Sequence, residues 1–220
     1  MPEKARIVLC DDHPVVLAGL RTLIEEQTDF ELVGEATNGF DALRLIRDVK
    51  PDVAVLDISM PQLNGIMLAR RLADECPATR VMIMTLYEDG VFVRQAMDCG
   101  VRAYVLKRSA AENLVQAIRA VLAGGIYLDP AIASPAALNA NFAPRDELSR
   151  RSSKAEMTAR ESMVLSLAAK GFTNKEIATR LDVSEKSVET YKARGLEKLG
   201  LKTRAELVRY ASIQGWLADV

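Results

Sequence analysis

Four short apolar runs, each stopping on a polar or charged side chain, restrict this chain more than any other feature of its sequence. Val53-Ala54-Val55-Leu56 ends on Asp57, and Ile7-Val8-Leu9-Cys10 leads into Asp11-Asp12. Val81-Met82-Ile83-Met84 leads into Thr85, and Ala103-Tyr104-Val105-Leu106 into Lys107. Continuous apolar runs of this length predict strands buried on both faces, as in a parallel sheet. Ligands of such sheets bind outside the carboxyl ends of the strands. One edge would therefore collect three carboxylates, a hydroxyl and an ammonium group.

Between and around these runs, amphipathic spacing predicts helices over 14–26, 39–48, 64–75, 89–98 and 109–122, with a further strand over 31–36. Strand and helix alternate five times. The expected fold is α/β: a doubly wound, five-stranded parallel sheet with helices on both faces. Ser109-Ala110-Ala111-Glu112 fits a capping box opening the last of these helices.

A change of composition follows. Pro130, Pro135 and Pro144 sit among Ala, Asn and Ser, and a polar run covers 145–154. This predicts a linker over 126–155 carrying a weak helix around 131–140. Residues 1–125 would form one domain and 156–220 a second, all-α one. In the second, Thr158-x-x-Glu161, Thr173-x-x-Glu176 and Thr203-x-x-Glu206 are three more capping boxes, and Gly171 and Gly200 sit where helices should stop. A short helix over 174–181, a turn at Asp182-Val183-Ser184 and a longer helix to Leu199 describe a helix-turn-helix. On the longer helix Val188, Gly195, Leu196 and Leu199 share an inner face, leaving Lys186, Glu189, Thr190, Ala193 and Arg194 outside.

The chain has 220 residues, 49% of them hydrophobic, enough for two small cores. No apolar run nears the roughly 18 residues of a membrane span, and the start has no signal-peptide pattern. The odd count of three cysteines, Cys10, Cys76 and Cys99, predicts free thiols and a reducing, cytoplasmic location. Residues 1–125 hold 18 Asp/Glu against 14 Lys/Arg, and residues 156–220 hold 11 Lys/Arg against 9 Asp/Glu. This asymmetry permits a polyanion partner at the C-terminal end.

Asp11, Asp12 and Asp57 cannot all ionise cheaply side by side without a counter-charge. A hard divalent cation such as Mg²⁺ supplies one, because it takes oxygen ligands and is commonly held by one or two carboxylates plus a phosphate. Lys107 suits a phosphoryl oxygen, and Thr85 offers a hydroxyl donor. The set suits phosphoryl transfer to a carboxylate, with Asp57 as the nucleophile because it stands alone at a central strand end.

On these residues the chain resembles a known family. Residues 5–125, with Asp11-Asp12, Asp57, Met60-Pro61-x-x-x-Gly65, Thr85 and Lys107, look like the receiver domain of two-component response regulators. Residues 156–220 resemble the LuxR-type helix-turn-helix, through Thr158-Ala159-Arg160-Glu161, the stretch from Gly171 to Ala178, and Lys198-Leu199-Gly200. Together they are similar to the NarL/FixJ family of bacterial transcription regulators. The resemblance implies a flavodoxin-like receiver with strand order 2-1-3-4-5 and phosphorylation of Asp57 by a cognate histidine kinase. It implies Mg²⁺ bound by Asp12, Asp57 and the backbone carbonyl of Ser59, with Asp11 acting through water, and switch roles for Thr85, Tyr104 and Lys107. The candidate DNA-contacting set is Thr173, Lys175, Lys186, Ser187, Glu189, Thr190, Arg194 and Lys198. Expected partners are promoter DNA, RNA polymerase and a second copy of the chain, on DNA or when phosphorylated, with no membrane partner.

Three positions depart from the commonest pattern. Leu86 follows Thr85 where a small residue is frequent, Arg108 follows Lys107 where proline is common, and Glu189 is acidic on the helix expected to face DNA. His13, the single histidine, reads as a capping or surface residue, and Trp216 as packing in the last helix. Two other classes stay open at this point. A Mg²⁺-dependent phosphohydrolase would also use an aspartyl-phosphate intermediate, but it usually has a second acid two residues on, where this chain has Ser59. A small-molecule sensor joined to the same helix-turn-helix would leave the acidic edge unexplained.

Overall fold

The computed structural model describes residues 4–132 and 157–217. The chain divides into two units, one within 1–141 and the other within 142–220. The first unit alternates strand and helix in the order β1 (Ala5–Cys10), α1 (Pro14–Glu25), β2 (Phe30–Ala36), α2 (Gly39–Val49), β3 (Val53–Leu56), α3 (Gly65–Glu75), β4 (Arg80–Thr85), α4 (Gly90–Asp98), β5 (Ala103–Leu106) and α5 (Ala110–Leu122). A 3₁₀ turn, Lys107–Ser109, joins β5 to α5, and a short β6 (Tyr127–Leu128) ends the series.

All strands pair in parallel, in the order β2-β1-β3-β4-β5-β6. Every residue of β3 and β5 is buried, as expected of strands covered on both faces. Successive side chains point to opposite faces. Ile7, Leu9, Val53, Val55, Met82, Met84, Ala103 and Val105 accordingly join Leu17, Leu20 and Ile24 of α1 and Leu114, Ile118 and Val121 of α5 in one cluster. Full burial of each such side chain contributes about 1.5–3 kcal/mol.

Two features of this unit differ from what the sequence predicts. The sheet has six strands rather than five, because Tyr127 and Leu128, read as the beginning of a linker, continue the ladder beside Ala103 and Tyr104. Two residues are too few for a periodicity to register. Ser109 does stand at the N-cap of α5, but its hydroxyl makes no cap bond. It donates instead to the Leu106 carbonyl and to Asp129, so no capping box forms. The weak helix expected around 131–140 lies almost wholly outside the described residues.

The second unit contains α6 (Ala159–Ala169), α7 (Asn174–Leu181), α8 (Glu185–Leu199) and α9 (Arg204–Ile213). Thr158, Thr173 and Thr203 each close a reciprocal capping box with Glu161, Glu176 and Glu206. Ser184 caps α8 through Ser187 N–H. Gly171 (φ 98°) and Gly200 (φ 68°) take the left-handed backbone that ends α6 and α8. Val188 and Gly195 are the buried positions of α8. A Cβ at Gly195 would lie 2.8 Å from Leu165 Cδ1, so glycine there sets how closely α8 approaches α6. Trp216 packs edge-on against Tyr210, with ring centroids 5.4 Å apart. Cys10, Cys76 and Cys99 are free thiols. Among the described residues, no helix is long and apolar enough to cross a membrane.

Candidate functional site

The carboxyl ends of β1, β3, β4 and β5 bring Asp11, Asp12, Asp57, Thr85 and Lys107 to one edge of the sheet. Backbone bonds aim them: Asp57 N–H donates to the Cys10 carbonyl (2.8 Å) and Asp11 N–H to the Ala36 carbonyl (3.1 Å). The floor of the site is Gly65, at the start of α3. A Cβ there would fall 2.2 Å from the Asp57 carbonyl oxygen, so no larger residue lets α3 come this close. Asn64 caps that helix by accepting from Met67 N–H at 2.8 Å.

Asp11, Asp57 and Thr85 are buried. Lys107 reaches across them, its Nζ 2.6 Å from Asp11 Oδ2 and 3.0 Å from Asp57 Oδ2. Burial pushes the Asp57 carboxyl above its ordinary range; Lys107 opposes this, while Asp11 and Asp12 add to it. Burial works against the Lys107 charge, yet the two carboxylates hold its pKa above the usual lysine value. Thus one cation faces three acids, and it does not neutralise them.

Carboxylate oxygens of Asp11, Asp12 and Asp57 and a ring nitrogen of His13 lie within 4.8 Å of one another. Asp11 Oδ2 and Asp12 Oδ1 are sealed from solvent, where Asp11 Oδ2 meets the Lys107 ammonium and Asp12 Oδ1 lies 2.7 Å from His13 Nδ1. Three carboxylates converging on one point, with a single ammonium among them, fit a hard divalent cation. His13 is exposed and stands at the N-cap of α1, as expected, though without a side-chain cap bond; its ring contacts Asp11 and Asp12.

The structure also brings in Tyr87, which the sequence reading passed over. The hydroxyl of Ser59 donates to the Tyr87 hydroxyl (2.9 Å), and Tyr87 N–H donates to Thr85 Oγ1 (3.4 Å). The place of Tyr87 two residues past Thr85 was the available signal. Tyr104 is wholly buried, and its hydroxyl donates to the Tyr87 carbonyl (2.9 Å). Burial first, and the acids Asp89 and Asp57 after it, keep the Tyr104 phenol protonated. Of the departures from pattern, Leu86 is 70% exposed. Arg108, next to Lys107, forms a two-pronged pair with Glu88.

On the second unit, Lys175, Lys186, Glu189, Thr190 and Arg194 are exposed. Thr190 returns its hydroxyl to the Lys186 carbonyl, and the Ser187 hydroxyl meets that of Ser184. The Thr173 hydroxyl is taken up by Glu176. Lys198 is placed differently from the rest: its Nζ lies 2.7 Å from the buried carboxylate of Glu161. Nothing in the residue spacing marks a pair thirty-seven positions apart.

Comparison with known proteins agrees with this arrangement. Residues 7–119 match the response regulator receiver domain, and residues 155–211 the luxR family of bacterial regulatory proteins. The oxygen regulatory protein NreC of Staphylococcus aureus is 36% identical over 211 residues, covering 94% of this chain and 96% of NreC. The structure of RcsB from Salmonella enterica serovar Typhimurium, bound to promoter rprA in the presence of the phosphomimetic BeF3−, matches with TM-score 0.68 and 26% identity over 96% of this chain and 100% of that one. A LuxR-family two-component response regulator from Aurantimonas sp. SI85-9A1 matches with TM-score 0.57 and 40% identity, over 60% of this chain and 94% of the other. This chain belongs to the NarL/FixJ family of two-component response regulators, which control transcription through a receiver domain joined to a LuxR-type DNA-binding domain.

Proposed function

We propose that Asp57 is the phosphoryl acceptor, that a histidine kinase supplies the group, and that the modified protein binds promoter DNA as a dimer. The observation that carries this reading is the single ammonium of Lys107 set against the Asp11, Asp12 and Asp57 carboxylates at one sheet edge. Asp57 would attack phosphorus through a carboxylate oxygen, giving an acyl phosphate and releasing the donor as leaving group. Lys107 balances charge on the transferred group, and Thr85 offers a hydroxyl donor. Asp11, Asp12 and Asp57, with the Ser59 carbonyl, would hold Mg²⁺, which when bound draws charge from the phosphoryl oxygens.

Response then passes to the helical domain, reached through the chain between residues 132 and 157. Lys175, Lys186, Ser187, Glu189, Thr190 and Arg194, with Thr173 and Lys198 at the margins, form the candidate DNA face of α7 and α8. One such domain of modest charge binds DNA weakly, whereas two on half-sites about 10 bp apart gain by avidity. Solved relatives support the pairing: RcsB has been captured as two dimers bound to two parallel DNAs. RNA polymerase is the expected downstream partner. The protein turns over no dedicated substrate in this reading, and it works in the cytoplasm.

Incubation with phosphoramidate and Mg²⁺, followed by intact mass, tests the assignment. One stable phosphoryl adduct, lost in Asp57→Asn, is the expected outcome. Rapid turnover without an adduct would point to a phosphohydrolase, and no reaction to a sensor domain. Light scattering before and after phosphorylation should show a rise in mass; a monomer under both conditions would overturn the dimer.

A further inference from the structure

Asp129 takes no part in the chemistry described so far, yet it is 1% exposed and makes four side-chain hydrogen bonds. It follows β6 directly, in the stretch whose sequence reads as linker. Its Oδ2 accepts from Leu106 N–H (3.0 Å), from the Ser109 hydroxyl and from Asn113 Nδ2 (3.3 Å). Its Oδ1 accepts from Ala131 N–H (3.0 Å), and its own N–H donates to the Tyr104 carbonyl (2.8 Å). Burial opposes its ionisation, but these donors, the Ser109 hydroxyl foremost, hold the carboxyl below its usual range.

The place of these bonds is what matters. Leu106 precedes Lys107, and Ser109 ends the 3₁₀ turn that carries it. One carboxylate oxygen therefore clasps both ends of a three-residue turn. A 3₁₀ turn has poor hydrogen-bond geometry and little stiffness of its own, and bonds to an ionised acceptor are about twice as strong as neutral ones. Lys107 has a long, freely rotating stem, so the aim of its ammonium at Asp11 and Asp57 depends on a fixed base. We propose that Asp129 is the positioning residue of Lys107: it locks the turn from which the lysine reaches the phosphoryl acceptor. The inference rests on phosphoryl transfer to Asp57.

The test is a double-mutant cycle on the full chain, read as the initial rate of adduct formation with phosphoramidate at saturating Mg²⁺. Asp129→Ala is expected to slow the reaction by about tenfold to a hundredfold, since a misplacement of about 1 Å can cost on the order of 10²-fold. Asp129→Asn, which keeps an acceptor oxygen for Leu106 and Ser109, should recover most of the rate. In a Lys107→Ala background, Asp129→Ala should change the rate less than about twofold, because the group it aims is gone. A merely structural role would lower thermal stability equally but leave the two effects multiplicative. Should Asp129→Ala fail to fold, Ser109→Ala takes its place in the same cycle. An adduct on the wild type with an unchanged rate in these variants, or multiplicative effects, overturns the positioning role alone. No adduct on the wild type overturns the Asp57 assignment, and this inference with it.

Discussion

The Tyr104 hydroxyl and the Tyr87 carbonyl are joined by a 2.9 Å hydrogen bond beneath the acidic edge. Tyr87 also touches Thr85 through its N–H and Ser59 through its hydroxyl, and its ring lies 5.2 Å from that of Phe92. Three residues near the proposed phosphoryl acceptor thus meet on one residue. A shift of Thr85 toward a phosphoryl group would disturb the carbonyl that holds Tyr104 inward, which gives the two proposed switch residues a shared part.

Removing that bond is the direct probe. Tyr104→Phe should cost about 1 kcal/mol, the net worth of an ordinary hydrogen bond, measured as a shift in the urea midpoint. The Mg²⁺-dependent adduct on Asp57 should form at wild-type yield, because the phenol is bonded to the Tyr87 carbonyl. Loss of the adduct would mean that Tyr104 takes part in transfer itself.

Asp57→Asn should stabilise the fold at neutral pH while abolishing the adduct. Burial raises the Asp57 pKa, so the folded protein holds this proton at pH values where the unfolded chain has released it. Through that window stability falls as pH rises. Above it the ionised form continues to cost free energy, which the amide avoids. Melting curves from pH 4 to 8 check the sign: the gain should grow with pH, level off above the folded pKa and shrink when Mg²⁺ is added. A variant less stable than wild type at pH 7 would contradict the electrostatics described.

The Glu161–Lys198 pair should behave in the opposite way. Lys198, then the Thr158 N–H, holds the Glu161 carboxyl below its ordinary range. Its stabilisation is complete above the unfolded value of about 4.3 and is lost as pH falls through the lower folded value. Lys198→Ala should cost on the order of 2 kcal/mol, as for a bond between charged groups. The variant should weaken acid resistance more than it weakens DNA binding at fixed salt. A large drop in DNA affinity with unchanged stability would place Lys198 at the phosphates instead.

Glu189 is exposed, and among the described residues no ion pair joins it to Lys186 or Lys192. A carboxylate free of local partners on this face can accept from a cytosine N4 amino group, a contact worth about 1–3 kcal/mol of discrimination. Glu189→Ala should therefore bind random duplex more tightly and discriminate less at one C·G pair of the operator. Titrations against operator and random duplexes at equal salt decide it; unchanged discrimination passes the readout to Thr190 and Arg194.

Residues whose role depends on local pattern are legible in the sequence itself. Asp57 follows a run of four buried residues, and Thr158, Thr173 and Thr203 announce their helices by a glutamate three positions on. The less legible parts depend on long-range pairing. Asp129 sits beside a proline, looks like linker, and gains its role from Leu106 and Ser109, twenty or more residues earlier. The Ser109 motif misleads for the same reason, since its hydroxyl is turned to donate to a distant carboxylate and accepts no bond from the local amide. Tyr87 lies in a loop where no periodicity applies.

The brevity of β6 also bears on how copies of this protein can meet. Among the described residues Tyr127–Leu128 is the outermost strand on its side, only two residues long, and Pro130 follows closely without an N–H to offer. Such a rim is too short a template for another chain to extend by strand addition. Among the described residues that flank therefore favours contacts through side chains on helices and loops over a continuous ladder that would be hard to reverse.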